Sequence, residues 1–255
     1  MHWIQGGHSV SGTYRTASPS TAILETAGVT LVHCDLDDTT SINRACDQLA
    51  SAASAWDALV VCPGTLEPLG DFESSDFDSW ATSINRNFVA QMRCVRALLP
   101  SRDRENPLGA CLILWAGGGT NGAPTGVSAY SVSKIATIKM AELLDAELPD
   151  LRVTAVGPGW VRTKIHDEML KAGPRAGDGY HATVARLERR DASLWTSLAA
   201  VIACCDWILS ADRTIVGGRN FSVVHDAWSS DALCRALATD RDMYKLRRHN
   251  NDWRP

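Results

Sequence analysis

The sequence predicts an α/β chain built around a doubly wound, mainly parallel sheet, and three observations carry the prediction. Short apolar runs, "DALVVC" (57–62), "ACLILWA" (110–116) and "RVTAVG" (152–157), have the length and composition of strands buried on both faces. Helical stretches separate them, which within one sheet requires right-handed crossovers. Each run ends in a segment of small residues, "CPGT", "WAGGGTN" and "GPGWVRT". In such a sheet the carboxyl ends of the strands form the ligand-binding rim.

Taken in order, "HSVSGTY" (8–14) and "VTLVHCD" (29–35) are β-rich and "SINRACDQLASAA" (41–53) is helical. After "DALVVC" one long helix is expected through "DSWATSINRNFVAQMRCVRALLP" (78–100). "ACLILWA" leads through a glycine-rich loop into a helix at "SAYSVSK", and "NFSVV" (220–224) is the expected last strand. No internal repeat, low-complexity tract or separating linker interrupts the pattern, so residues 1–255 are read as one domain.

Composition narrows the function classes. With 45% hydrophobic and 21% charged residues the chain can bury a full core. No window approaches the apolar run of ~20 residues that a membrane span needs, and "MHWIQGG" does not read as a secretion signal. A net charge of −4 and a pI near 6.0 speak against a nucleic-acid binder. The basic tail "KLRRHNNDWRP" is read as a solvated terminus. Eight cysteines without CxxC spacing read as reduced core residues of a cytoplasmic protein, and no metal-ligand cluster is expected.

One pair of residues on this frame suggests chemistry. In "SAYSVSKIATIKMAELLDAEL" (128–148), Tyr130 stands four positions ahead of Lys134, on one helical face. Alone, that spacing fits an ordinary surface contact. It is accompanied, in order, by "SVSGTYR", "CDLDD", "VVCPG", "SINRNFVAQ" and "GPGWVRT". With this ordered set, the chain from about residue 9 to 224 resembles the short-chain dehydrogenase/reductase family, which binds NAD or NADP on a Rossmann-like fold. The resemblance implies Tyr130 and Lys134 as the acid/base pair and Asn87 as the organiser of a proton-relay water. It implies Asp35 at the adenine, Arg15 at an NADP 2′-phosphate, Gly64 at the strand end, and Pro158, Gly159 and Thr163 beside a nicotinamide.

The chemistry asks for such a pair. A phenol of pKa ~10 exchanges its proton poorly at neutral pH, and a nearby ammonium is expected to lower that pKa, so Lys134 is the natural activator of Tyr130. Two departures stand out. The family's serine, thirteen or fourteen residues before the tyrosine, falls here on Gly117 or Ala116, neither with a hydroxyl; Thr120 and Ser128 are the candidate substitutes. Losing one such donor can cost ~3 kcal/mol, roughly a hundredfold in rate.

The second departure concerns the start. The family opens with a strand, a Gly-rich turn and a helix that holds the pyrophosphate. Here "SVSGTYR" matches the family's second strand, which makes "MHWIQGG" the tail of its first helix. A rival alignment makes "IQGGHSVSG" the turn itself, with Gly6 and Gly12 in place. The four residues before Gln5 are too few for a buried strand, and the spacing from "CDLDD" to "VVCPG" fits the third and fourth strands, so the N-terminally truncated reading is favoured. The missing strand would be a central one, leaving backbone groups of two neighbours unpaired. Neighbours closing up, a partner strand, or an upstream coding segment would each answer that.

Residues 164–195 occupy the place of the family's substrate lid, with His166 and Asp167 as candidate contacts, and 225–255 form a C-terminal extension in which Trp228 and Trp253 serve packing or subunit contact. The leading expectation is an oxidoreductase that uses NADP or NAD, bound weakly or not at all, on a small carbonyl or hydroxyl compound. The alternatives are a cofactor-independent isomerase, dehydratase or cyclase, and a non-catalytic subunit partnering an intact family member. Val89, Met92, Val95, Ile138, Met140, Leu143 and Leu144 spread over more than one helix face, so a homo-oligomer, dimer or tetramer, is expected.

Overall fold

The computed structural model describes residues 1–52, 55–189 and 191–249. They fall into two compact units, Met1–Trp56 with Val89–Asp103, and Asp57–Phe88 with Arg104–Pro255. The end of the C-terminal extension, with Trp253, lies outside the described residues.

In the first unit the short helix α1 (His2–Gln5) is closed by Gly6 and by Gly7, whose φ of 85° suits glycine, and the chain then enters β1 (Ser11–Tyr14). Helix α2 (Pro19–Thr26) follows; Ser18 and Thr21 form a reciprocal capping box, and Pro19 opens the first turn. Strand β2 (Thr30–His33) pairs in parallel with β1, Ser11 opposite Thr30. The carboxylate of Asp38 takes the Thr40 N–H and caps α3 (Thr39–Ala52), which buries Ile42, Ala45 and Cys46. The helix expected over 78–100 is interrupted: α4 (Phe77–Ile84) runs into a π-turn (Asn85–Val89) and continues as α5 (Ala90–Leu98). Asn87 sits in that turn, fully buried. An unbroken 3.6-residue pattern gives no sign of such a turn, which is stabilised by what the buried amide bonds to.

The second unit contains a four-stranded parallel sheet in the order β3 (Ala58–Val61), β4 (Ala110–Trp115), β5 (Leu151–Gly157) and β6 (Asn220–Ser222). The continuous apolar runs predicted here are the buried strands, with β4 buried from Ala110 to Leu114 and β5 from Leu151 to Val156. Two residues of β5 depart from their apolar character: Thr154, whose hydroxyl donates to the Val216 carbonyl, and Arg152. Its guanidinium donates to the carbonyls of Gly109, Ile208, Leu209 and Ala211, which satisfies a charge that burial would otherwise penalise. The helices are α6 (Ser128–Glu147), α7 (Lys164–Ala172), α8 (Asp178–Arg189), α9 (Leu198–Ser210), the short α10 (Arg213–Val216) and α11 (Asp231–Thr239). Trp228 packs on Trp207 at 5.7 Å between centroids and donates its indole N–H to the Val223 carbonyl. No helix of the described residues is long and apolar enough to cross a membrane, and no metal-ligand cluster occurs among them.

Candidate functional site

The carboxyl ends of β3, β4 and β5 open on one cavity of about 980 Å³, in the second unit. Gly64, Ala116, Gly117, Thr120, Tyr130, Lys134, Pro158, Gly159, Thr163 and His166 all line it, so most of the residues singled out from sequence converge. Arg15 and Asp35 belong to the other unit. There Arg15 is exposed, and the Asp35 carboxylate accepts the Asp37 N–H. Ser128 does not line the cavity; its hydroxyl accepts the indole N–H of Trp80 at 2.9 Å.

Tyr130 stands on the first turn of α6 and packs against Leu66, Leu69 and Val127. Its hydroxyl has no protein hydrogen-bond partner among the described residues. Lys134, one turn on, is 3% exposed and donates to the Trp115 carbonyl at 2.9 Å, with its Nζ 5.7 Å from the Tyr130 ring centroid. The electrostatics differ from the expectation that the ammonium would lower the phenol. Burial, and after it the Glu168 carboxylate, push Tyr130 up to about 12. Burial also brings Lys134 down to about 8, partly offset by Cys62. The reason is geometric: the ammonium points at a backbone carbonyl, and the phenol is half-buried, with the Glu168 carboxylate acting on it.

The lowered lysine has a consequence for stability. Folding holds Lys134 below its ordinary value of 10.5, so the folded protein binds fewer protons than the unfolded chain between about 8 and 10.5. The penalty for burying the ammonium is therefore full below pH 8 and fades as pH rises through that window. Lys134→Met is expected to gain most against the parent protein near neutral pH, with the difference shrinking toward alkaline pH. Denaturant unfolding across that range measures it.

Gly117 explains the absent serine. A Cβ built there would lie 2.5 Å from the Tyr130 hydroxyl and 2.8 Å from Lys134 Cγ, so the tyrosine lies where a side chain would begin. Asn87 braces the site from beneath. Its Oδ1 accepts the Thr65 N–H at 2.9 Å, and its Nδ2 donates to the Thr65 carbonyl at 2.8 Å and to Ser83 Oγ at 3.2 Å. Gly159, at φ 75°, needs glycine both for its backbone and because a Cβ would collide with Thr196 and Val224.

Three features escaped the sequence reading. Glu168 accepts the Leu66 N–H at 2.6 Å and the Thr65 hydroxyl at 3.1 Å, a pairing across 103 and 102 residues that no local pattern announces. His166 is buried rather than solvated: it stacks on Trp160 at 5.3 Å and meets Trp195 edge-on at 5.0 Å. Cys62, taken with the other cysteines as a core residue, is exposed, lines the cavity and accepts the Trp115 indole N–H at 3.1 Å.

Comparison with known proteins adds context to this geometry. The short chain dehydrogenase family matches residues 2–172. A short-chain type dehydrogenase/reductase of Sinorhizobium fredii is 30% identical over 152 residues, 57% of this chain and 58% of that relative, so the chain spans less than two thirds of the relative's length. Among solved structures, a short chain dehydrogenase/reductase from Saccharomyces cerevisiae aligns at a TM-score of 0.76 with 20% identity, covering 91% of each chain. A short chain dehydrogenase from Burkholderia cenocepacia, solved in complex with NADP, aligns at 0.70 with 20% identity over 87% of this chain and 88% of that one. At such identities the structural likeness concerns the fold.

Proposed function

The chain belongs to the short chain dehydrogenase family, and we propose that it is an NADP-preferring oxidoreductase that reduces a small carbonyl compound, with Tyr130 as the general acid. The observation that carries this reading is the Tyr130 hydroxyl, unpaired and open to a cavity that also holds Lys134, Pro158, Gly159 and Thr163. A phenol kept protonated at neutral pH suits the reducing direction, in which a proton must reach the developing alkoxide. A nicotinamide bound there would supply the hydride. Lys134 spends one N–H on the Trp115 carbonyl, which leaves donors for a ribose hydroxyl, and Pro158, Gly159 and Thr163 line the same cavity. The residues present thus fit the nicotinamide half of the cofactor. In this reading Asn87, whose amide is committed to Thr65 and Ser83, fixes the turn after β3, and a relay water uses backbone groups of its π-turn. Incubating the protein with NADPH and a panel of aldehydes and ketones, with products identified by mass, tests the proposal. An absence of alcohol product across the panel counts against it.

The adenine half supports a weaker hold. Gly6 and Gly7 end a helix, and the β1–α2 connection carries no glycine, so the residues before α2 do not form a strand–glycine turn–helix. In this reading β1 corresponds to the family's second strand, and the described residues before α2 supply no pyrophosphate turn. Each lost amide-to-pyrophosphate bond is worth ~1.5–3 kcal/mol, so two of them weaken binding by roughly a hundredfold or more. The family resemblance alone assigns Arg15, after β1, to a 2′-phosphate and Asp35, after β2, to the adenine. Arg15→Ala is expected to abolish the preference for NADP over NAD while leaving NAD binding nearly unchanged; fluorescence titration of both cofactors checks it. The same observation favours a second reading, a cofactor-independent isomerase, dehydratase or cyclase that uses Tyr130 as its acid.

Self-association is part of the proposal. On α6, Val132 and Leu143 are 52% and 43% exposed, an apolar surface that a second copy would cover. Light scattering at micromolar concentration is expected to give a dimer or tetramer; a monomer would count against it.

A further inference from the structure

We propose that Glu168 is a positioning residue of this site, latching α7 onto the Asn87-held turn after β3, whose Leu66 belongs to the apolar cluster on which Tyr130 packs. The latch is built from strong contacts. A carboxylate accepting a backbone N–H at 2.6 Å and a hydroxyl at 3.1–3.2 Å is a charge-assisted clamp. Its target is itself immobile, because Asn87 bonds both the N–H and the carbonyl of Thr65. Around it Leu66, Leu69, Val127, Ala172 and Ala176 form an apolar cluster onto which Ile165, Met169 and Tyr130 pack. One carboxylate thus fixes a helix that carries Ile165, His166 and Met169 to the cavity wall, and holds it in register with the tyrosine.

The charge has its own effect. Lys134 on α6, Cys62 after β3, His166 on α7 and Asp178 on α8 line the cavity with Tyr130; Tyr180 on α8 packs on the same apolar cluster as Tyr130, and Glu168 on α7 hydrogen-bonds Thr65 and Leu66 of the turn after β3. Lys134 is turned to the Trp115 carbonyl and Cys62 to the Trp115 indole, and His166 hydrogen-bonds the Val161 carbonyl. Glu168 is the group whose charge acts on the phenol, opposing ionisation and favouring retention of its proton. The catalytic meaning of this rests on the reading of Tyr130 as general acid; the latch and the charge are both measurable without substrate or cofactor.

Two variants and two readouts test it on the full chain. Glu168→Ala removes clamp and charge, and Glu168→Gln keeps an acceptor of the same shape and removes the charge. Amide hydrogen exchange at Leu66 is expected to quicken roughly tenfold or more in Glu168→Ala and much less in Glu168→Gln. Tyrosinate absorbance, with Tyr130→Phe subtracted to isolate one phenol, is expected at about pH 11 to show roughly threefold or more ionised Tyr130 in both variants. If Glu168→Ala fails to fold, Glu168→Gln still decides the charge. Unchanged Tyr130 ionisation in Glu168→Gln, or unchanged Leu66 exchange in a folded Glu168→Ala, overturns the proposal. A parent protein that fails to reduce any carbonyl would remove the reductase reading and leave both of these readouts intact.

Discussion

Tyr130→Phe is expected to lower kcat of the proposed carbonyl reduction by roughly 10²–10⁴-fold, the span that a positioned general acid contributes. The substitution is unusually clean. The hydroxyl has no protein partner among the described residues, so removing it orphans no buried donor or acceptor, and the ring keeps its packing against Leu66, Leu69 and Val127. Thermal stability and NADPH affinity should therefore stay at or above those of the parent protein. Steady-state kinetics beside a melting curve and a cofactor titration separate the outcomes. A fall in kcat with unchanged binding and stability is the expected pattern; an unchanged kcat would remove Tyr130 from the chemistry.

The second large effect runs against the family pattern. Installing a serine where the family keeps one, by Gly117→Ser, is expected to slow the reaction. The new Cβ would lie 2.5 Å from the Tyr130 hydroxyl and 2.8 Å from the carbon chain of Lys134, well inside contact distance. Both side chains must move, and a displacement of about 1 Å at a reacting group can cost on the order of 10²-fold. The gain of a hydroxyl would return at most a comparable factor, and only with the acid still in place. We expect kcat/KM to fall, with the loss mainly in kcat. A rise would show that the cavity wall yields easily and that the missing donor limits the rate.

What the sequence disclosed and what it concealed have separate physical causes. The buried strands were legible because a strand covered on both faces is mostly apolar, as "ACLILW" is throughout and "LRVTAV" is apart from Arg152 and Thr154. Tyr130, Lys134, Pro158 and Gly159 were legible because strand ends and a helix start bring them to one rim. The π-turn at Asn85–Val89 was not, since its cause is a buried amide bonding to Thr65, distant in sequence. Nothing in the sequence around Glu168 marks it, because its partners at Thr65 and Leu66 come together with it only in three dimensions. The sequence marks His166 as a candidate contact but not its surroundings; two tryptophans, at 160 and 195, pack on it. The sign of the Tyr130 shift was misjudged because spacing along a helix does not reveal where an ammonium points.

Calorimetric titration of the 255-residue chain with NADPH tests the central claim most directly, because the proposed role of Tyr130 depends on a nicotinamide reaching its cavity. The account predicts saturable binding, stronger for NADPH than for NADH. On the proposed reading, in which the described residues before α2 supply no pyrophosphate turn, it should be roughly a hundredfold weaker than that of the Burkholderia cenocepacia dehydrogenase measured alongside. Absence of binding at millimolar cofactor would contradict the reductase reading and leave the cofactor-independent acid/base enzyme in its place. Binding as tight as that of the comparison enzyme would instead contradict the truncated reading, and would mean that "IQGGHSVSG" or another segment supplies the missing amides.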